Sequence, residues 1–275
     1  MNYRKPDLSK SPKEIVSHLL RSTKSQLLIP PQYSRDQVEI SELLSDEKSI
    51  GLFSSGSTAD PKCIWNTFEN LMLNAQRSAE VFEITSGHRL LILAKPWHVA
   101  GLSWALMAEK FGCEYEFITT NKGEGDRWLN AIQSLKPDFL LTVPPVLRAL
   151  YDEEWFVANI VFGGTPFEYD DFHMLSNHCS NMYQGYGQTE AGGLISCHKR
   201  LSSEFPKAKE HQNCGRPING VELRSEGSSS EPSEIYIKSE TASIKSWYNS
   251  GDLGYIKDFE VHLTGRSNKV ISFKN

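Results

Sequence analysis

The stretch of the sequence with the clearest chemistry is a run of hydroxyl side chains and glycine over residues 53–62. It reads Phe-Ser-Ser-Gly-Ser-Thr-Ala-Asp-Pro-Lys, and we predict that it follows a buried strand and precedes a helix. Hydroxyl and main-chain N–H groups in such a loop can donate hydrogen bonds to a polyanion such as a chain of phosphates. The loop is not a Walker A motif, because Ser57 stands where that motif needs lysine. An exposed Ser-rich turn is the alternative interpretation.

A second candidate site lies at residues 183–190, which read Tyr-Gln-Gly-Tyr-Gly-Gln-Thr-Glu. In a nucleotide site, the Tyr186 ring can stack on a base. Thr189 can donate to a phosphate, and the carboxylate of Glu190 can bind Mg²⁺ through oxygen. The alternative is a Gly-rich strand end followed by a surface Thr-Glu pair.

Three more short motifs complete an ordered set. Residues 161–166 read Val-Phe-Gly-Gly-Thr-Pro, residues 250–254 read Ser-Gly-Asp-Leu-Gly, and residues 263–266 read Leu-Thr-Gly-Arg. In this order and spacing, the five motifs resemble those of the adenylate-forming superfamily, which includes acyl- and aryl-CoA synthetases, luciferases and peptide-synthetase adenylation domains. The resemblance covers the chain from about Ile50 to its C-terminus.

The resemblance implies a role for each matching residue. The loop that holds the β- and γ-phosphates of ATP would consist of Ser54, Ser55, Gly56, Ser57, Thr58 and Lys62. The adenine would lie against Gly163, Gly164, Thr165, Tyr186 and Gly187. Thr189 would contact the α-phosphate and Glu190 would bind Mg²⁺, both as catalytic residues. Asp252 and Arg266 would contact the ribose.

Two features are similar to the o-succinylbenzoate–CoA ligases of menaquinone biosynthesis. They are the form of the Ser-rich loop and the segment Pro-Trp-His-Val-Ala-Gly-Leu at residues 96–102. The resemblance implies that His98, as a further catalytic residue, borders the acyl pocket together with Gly101 and Gly185. A gating or packing role for His98, common to many acyl-CoA synthetases, is the alternative.

The activity implied by the resemblance is that of an AMP-forming acid–thiol ligase. Its substrates would be ATP, an aromatic or acyl carboxylate and CoA, and its cofactor would be Mg²⁺. Catalysis would consist of positioning and of stabilising the charge that develops on the phosphate. Two alternatives remain open: an adenylation domain that loads a carrier protein, against which the Gln-Gly-Tyr-Gly form argues, and a non-catalytic nucleotide- or acid-binding module.

The sequence also departs from the superfamily pattern. Asp60 places a carboxylate near the expected triphosphate site, and Cys63 follows Pro-Lys where many relatives have glycine or alanine. Lys269 stands at the position of the hinge that precedes a mobile C-terminal lid domain. We expect that lid, with the lysine that contacts the reacting carboxylate, to be absent from this sequence, and the chain alone to be weakly active.

The elements that must position these residues follow a clear rhythm. Apolar runs predict buried strands at residues 50–53, 90–94, 115–118, 139–143 and 160–162. Amphipathic patterns predict helices between them, at residues 68–82, 102–111, 127–135 and 145–151. This alternation predicts an α/β fold with a mostly parallel sheet. Short alternating runs at 221–224, 234–238 and 254–263 predict a small antiparallel β subdomain at the C-terminal end.

We therefore expect three regions: a helical N-terminal segment over residues 1–49, an α/β core over 50–199 and a small β subdomain over 200–275. In the first region, Ser11 and Pro12 predict the start of a helix that ends by Pro30 and Pro31. A second short amphipathic segment covers residues 36–44.

Composition excludes several classes of protein. The 275 residues carry 29 Lys and Arg against 34 Asp and Glu, a net charge of -5 without a basic cluster, which argues against nucleic acid as a partner. No apolar run reaches the ~18 residues of a membrane-spanning helix. The N-terminus has no signal-peptide pattern, and the five cysteines are widely spread without a C-x-x-C pair. We therefore expect a cytoplasmic protein with reduced thiols.

One grouping of residues suggests a metal at first sight. Cys197, His198, His211 and Cys214 lie within eighteen residues of each other. The first two are adjacent in sequence, so their side chains point apart on a strand, and the set lacks zinc-finger spacing. Unrelated packing and surface positions are the favoured interpretation.

Overall fold

Strands and helices alternate from Cys63 to Leu175, and strands dominate the chain after that point. The computed structural model describes residues 3–33, 38, 40, 47–54, 62–206 and 210–267. The strands are β1 Tyr3–Arg4, β2 Ser25–Leu27, β3 Ser49–Phe53, β4 Cys63–Thr67, β5 Arg89–Ala94, β6 Glu114–Thr119, β7 Phe139–Thr142, β8 Val157–Gly163, β9 Cys179–Gln188, β10 Gly193–Leu201, β11 Arg216–Pro217, β12 Val221–Arg224, β13 Ser233–Ser239, β14 Tyr248–Lys257 and β15 Glu260–Arg266. The helices are α1 Pro12–Arg21, α2 Phe68–Phe82, α3 Val99–Phe111, α4 Gly125–Leu135, α5 Pro144–Arg148 and α6 Tyr169–Leu175.

The largest sheet has seven strands in the order β11-β10-β9-β8-β7-β5-β6. The strands from β9 to β6 are parallel, while β10 and β11 are antiparallel to their neighbours. Alternate side chains of β5 face two separate cores. Leu90 and Ile92 pack with residues of α1, α2 and α3, whereas Leu91 and Leu93 pack with residues of α4, α5 and α6. Burial on both faces explains the continuous apolar runs of these strands and confirms the predicted α/β layers.

The N-terminal region differs from the prediction of a helical segment. Helix α1 begins at the predicted place, where the side chain of Ser11 accepts from the main chain of Glu14 in a capping box. The helix ends at Arg21 rather than near Pro30, because the next residues extend into β2. Strands β1 to β4 form a four-stranded sheet in that order, with β2 parallel to β3. Most of the amphipathic segment 36–44 lies outside the described residues.

The third sheet is the small antiparallel subdomain, with strand order β12-β13-β14-β15. The run predicted over residues 254–263 is a hairpin rather than one strand. Asp258 and Phe259 form its turn, with φ of 53° and 66°. Positive φ at both turn residues is usually signalled by Asn-Gly or Asp-Gly, and phenylalanine in the second position hides the turn from sequence analysis. No helix among the described residues is long and apolar enough to cross a membrane.

Candidate functional site

Glycines bring the carboxyl ends of β8 and β9 into close contact. Gly163 and Gly185 are register partners, and a Cβ atom on Gly163 would lie 2.3 Å from the Gly185 carbonyl oxygen. Only glycine fits at this approach. Gly164, with φ of +85°, and Thr165 follow and are exposed. They form an open shelf at the edge of the sheet where parallel α/β folds bind their ligands.

Asp252 is the centre of a hydrogen-bonded network beside this shelf. The residue as a whole is 7% exposed. Oδ2 accepts from the hydroxyl of Tyr186 at 2.7 Å and from Nε2 of Gln188 at 2.6 Å. Oδ1 accepts from Nε of Arg266 at 2.6 Å, across the register pair of β14 and β15. The network joins the seven-stranded sheet to the third sheet, and it brings together three residues that sequence analysis predicted on separate motifs.

The electrostatics of this network follow from burial and from one ion pair. Burial raises the pKa of Tyr186 well above its usual range, and the Asp252 carboxylate raises it further, so the phenol stays protonated and donates. Burial is the largest single influence on the pKa of Arg266 and lowers it, but the charge and hydrogen bond of Asp252, with the charges of Tyr186 and Glu190, together outweigh burial and the pKa is raised. The ring of Tyr186 packs in the core cluster with Ile195 and Ile235, and its contact with a base stays a prediction.

Thr189 and Glu190 lie in the turn between β9 and β10. Neither the hydroxyl of Thr189 nor the carboxylate of Glu190 makes a hydrogen bond or ion pair within the part of the chain that the structure describes. The charge of Glu190 adds to burial in raising the pKa of Tyr248, and it supports Asp252 in raising that of Arg266. Glu190 therefore lies within electrostatic range of the Asp252 network.

A lone carboxylate suits Mg²⁺ bound to a nucleotide. Within the described ranges, no group of three or more His, Cys, Asp or Glu side chains could hold a metal ion. Magnesium is commonly bound through one or two carboxylates, with waters and substrate phosphates as its other ligands. Glu190 fits that role, whereas Cys197 and Cys214 belong to no such metal-binding group among the described residues. Burial raises the pKa of both thiols.

The Ser-rich loop connects two adjacent strands. Strands β3 and β4 are antiparallel, with Phe53 opposite Cys63, and the amide of Ser54 donates to the carbonyl of Lys62 at 3.1 Å. The loop follows the buried strand β3 and precedes helix α2, as predicted, and the short strand β4, which was not predicted, lies between the loop and the helix. The predicted phosphate-binding residues Ser55, Gly56, Ser57 and Thr58, and the predicted hinge Lys269, lie outside the described residues.

The predicted acyl-pocket residues lie on two elements at the same sheet edge. His98 follows β5 as the residue before α3 and is half-buried. Burial, assisted by the positive charge of Lys95, lowers the pKa of His98 to about 4, so its ring is neutral at pH 7. A Cβ atom on Gly101 would lie 2.5 Å from the Lys95 carbonyl, so this glycine lets α3 approach the preceding loop. Gly185 lies on β9, three strands from β5 in the sheet.

Sequence analysis missed the polar residues that hold the site together. Gln188 lies within a motif it identified, yet it was given no role. Asn66 donates to the carbonyl of Thr189 at 3.1 Å, and Asn74 contacts the main chain of Leu194. Both asparagines are fully buried. For Asn74 the sequence contained a signal, because an amide side chain stands at a position where the helical pattern of α2 predicts an apolar residue.

Residues 5–243 match the AMP-binding enzyme family. The chain is 24% identical to the 3,4-dihydroxybenzoate–(aryl-carrier protein) ligase of Bacillus anthracis, over 86% of this chain and 55% of that protein. It is 27% identical to the 2-succinylbenzoate–CoA ligase of Bacillus velezensis, over 82% of this chain and 50% of that protein. The chain spans about half the length of the curated relatives it matches.

Solved structures show the same fold. The unliganded O-succinylbenzoate coenzyme A synthetase of Bacillus subtilis superposes with a TM-score of 0.76 at 18% identity, covering 97% of this chain and 72% of that one. The complex of that enzyme with ATP and magnesium ion gives 0.70 at 22% identity, covering 98% and 65%. Because the family match extends over most of the chain and the fold agrees, the chain belongs to the AMP-binding enzyme family.

Proposed function

We propose that the protein activates a carboxylic acid with ATP, and that the acid is o-succinylbenzoate. A carboxylate oxygen attacks the α-phosphorus, the bond to the β-phosphate breaks, and pyrophosphate leaves. In the full-length enzyme a second step would follow, in which the thiol of CoA attacks the acyl carbon, the bond to AMP breaks, and the thiol proton is released. The first step needs a nucleotide site, and the observation that carries the proposal is the network around Asp252.

The Asp252 carboxylate has room for one more donor. Two carboxylate oxygens offer about four acceptor positions. Oδ2 already accepts from Tyr186 and Gln188, while Oδ1 accepts from Arg266 and from no other residue that the structure describes. A ribose hydroxyl at Oδ1 would complete the set with a charge-assisted hydrogen bond. The partners on both sides fix the carboxylate in place, so binding costs little reordering.

The turn beside this network would meet the phosphates. Thr189 would donate to the α-phosphate from its free hydroxyl, and Glu190 would hold Mg²⁺. When bound, that ion would neutralise charge on the phosphates. Ser54 and Lys62, at the two ends of the Ser-rich loop, would place the loop's donors against the outer phosphates.

The identity of the acid rests on weaker support than acid activation. The relative from Bacillus velezensis is a CoA ligase for 2-succinylbenzoate, and the neutral His98 can accept or donate one hydrogen bond in the acyl pocket. A second candidate function is loading of a carrier protein, which the relative from Bacillus anthracis favours. Thioester formation with CoA, compared with formation on an aryl-carrier protein, separates the two.

The test of the nucleotide site is calorimetric titration with AMP. Asp252→Asn keeps the size of the side chain and removes its charge, so we expect AMP affinity to fall at least tenfold, on the scale of one charged hydrogen bond of ~1.5–3 kcal/mol. Asp138→Asn is the control, because Asp138 pairs with Arg89 at the amino ends of β5 and β7, the opposite edge of the sheet. Equal AMP binding by wild type and Asp252→Asn would overturn the proposal.

The test of the acid is a ranking of ligands in the presence of AMP. We expect o-succinylbenzoate to bind more tightly than benzoate or a medium-chain fatty acid, and His98→Ala to remove most of that preference. The control is His88→Ala, since His88 precedes the amino end of β5. An unchanged ranking in His98→Ala would assign His98 a packing role.

A further inference from the structure

The turn that carries Thr189 and Glu190 is fixed through its main chain while its functional side chains stay free. Within the turn, the amide of Ala191 donates to Gln188 at 3.2 Å and that of Gly192 donates to Thr189 at 3.1 Å. The carbonyl of Thr189 accepts a second hydrogen bond from outside the turn, and the carbonyls of Glu190 and Ala191 also accept from outside it. The donors lie on β4 and in the connection between β13 and β14, while α2 contacts the neighbouring Leu194.

The first anchors come from β4 and α2. Nδ2 of Asn66 donates to the carbonyl of Thr189 at 3.1 Å. Asn74 pairs with both main-chain groups of Leu194: its Nδ2 donates to the carbonyl at 2.8 Å, and its Oδ1 accepts from the amide at 3.0 Å. Because Leu194 lies at the start of β10, Asn66 holds the first end of the turn against β4 and Asn74 holds the second end against α2.

The remaining anchors come from the connection between β13 and β14. Thr241 is fully buried, and its hydroxyl donates to the carbonyl of Ala191 at 2.8 Å. The same hydroxyl oxygen accepts from Asn74 at 3.4 Å and lies 3.0 Å from the hydroxyl of Ser239. The amide of Ser243 donates to the carbonyl of Glu190 at 2.9 Å. One hydroxyl therefore joins helix α2, the turn and the third sheet.

The fit around this hydroxyl is tight. Gly192 has φ of +78°, and a Cβ atom there would lie 2.9 Å from the Thr241 carbonyl. The turn therefore lies so close to the third sheet that a side chain at position 192 would not fit, and Asn66 and Asn74 hold the turn on its other side. Functional groups held on a rigid, hydrogen-bonded backbone lose less entropy when a ligand binds.

We propose that Thr241 is a positioning residue for the phosphate and magnesium end of the nucleotide. It acts through the Ala191 carbonyl, which sets where the side chains of Thr189 and Glu190 point. This inference rests on the proposed function, since it assumes that the two side chains meet a triphosphate. The ribose contacts at Asp252 do not involve Thr241, so the two ends of the nucleotide respond differently to its loss.

The experiment compares adenosine with Mg·ATP by calorimetry on the full chain. Thr241→Val keeps the shape of the side chain and removes its hydroxyl. We expect the Kd for Mg·ATP to rise about tenfold, on the scale of one buried hydrogen bond. The Kd for adenosine should change less than twofold. Thr241→Ser restores the hydroxyl and should restore Mg·ATP binding to within twofold. Thr142→Val is the matched control, because Thr142 is equally buried and donates to the Leu93 carbonyl instead.

Hydrogen exchange over residues 186–195 gives a readout that does not need the nucleotide. We expect faster exchange in Thr241→Val than in Thr142→Val, and the same effect in Asn66→Leu, which serves if Thr241→Val does not fold. Unchanged exchange, or a parallel loss of adenosine and Mg·ATP affinity, would overturn the inference. If wild type binds neither ligand while exchange rises as expected, the proposed function fails and the anchoring of the turn stands.

Discussion

The ion pair between Arg266 and Asp252 should stabilise the fold measurably as well as shape the site. Nε of Arg266 lies 2.6 Å from Oδ1, and the side chains are 40% and 10% exposed. Breaking a fully buried pair by removing one partner costs about 3–5 kcal/mol, whereas exposed pairs contribute about 0–1 kcal/mol. Because solvent screens the arginine and not the aspartate, we expect Arg266→Gln to lower the free energy of unfolding by about 2 kcal/mol.

The structure supplies an internal comparison for this number. Arg148 and Asp171 form a pair with the same 2.6 Å separation and with side chains 39% and 9% exposed. Arg148 makes a second bond, from Nε to Oδ1 of Asp171 at 3.0 Å. Urea denaturation at pH 7 should therefore show that Arg148→Gln costs as much as Arg266→Gln or somewhat more.

A double-mutant cycle isolates the interaction itself. Combining Arg266→Gln with Asp252→Asn should give a coupling energy of about 1–2 kcal/mol, since both single variants remove the same contact. A coupling energy below about 0.5 kcal/mol would refute the reasoning, because the pair would then behave as a fully solvated one. So would a cost for Arg266→Gln far below that for Arg148→Gln.

Two further predictions concern His98 and Gly163. The pKa of His98 is about 4 in the folded protein against 6.5 for the free side chain, so between these pH values the unfolded state binds the extra proton and wild type loses stability as pH falls. His98→Gln should remove up to about 3 kcal/mol of that loss in urea titrations from pH 7 to pH 4. Parallel pH profiles of wild type and variant would contradict this. Gly163→Ala should cost about 2–3 kcal/mol more than Gly87→Ala in the same assay, because its methyl group meets the Gly185 carbonyl, whereas that on Gly87 meets open space at an ordinary φ. Equal costs would show that β8 and β9 can separate.

Periodicity predicted the elements that bury their side chains completely. The range predicted for α2 agrees with the observed Phe68–Phe82, and the apolar run at 90–94 lies within β5. Such elements are defined by their own pattern, because each residue's neighbours along the chain determine which face is apolar. Strands β2 and β4 were missed, since they are short and mix polar with apolar residues, and only pairing with β3 makes them strands.

The sequence predicted those site residues that belong to recognisable motifs. The motif resemblance placed Asp252 and Arg266 together at the ribose, and the structure pairs them in register. It gave no role to Gln188, Asn66 or Thr241, because their contacts with the site join residues 64, 123 and 50 positions apart in the sequence. Those contacts exist only once three sheets have been assembled around α2, and no local pattern encodes that arrangement.

The charges at this junction determine which form of the nucleotide we expect to bind. Asp252 and Arg266 cancel each other, so the ribose end is neutral overall. Glu190 adds a negative charge near the expected phosphates, and no described residue forms an ion pair with it. Lys62, which is exposed at the end of the Ser-rich loop, supplies a positive charge there. A triphosphate without a divalent ion would therefore meet like charge, while adenosine would not. We expect removal of Mg²⁺ by a chelator to weaken ATP binding at least tenfold and to leave adenosine binding unchanged. Glu190→Gln should reduce the effect of the chelator on ATP binding. ATP affinity independent of Mg²⁺ would show that Glu190 faces away from the phosphates.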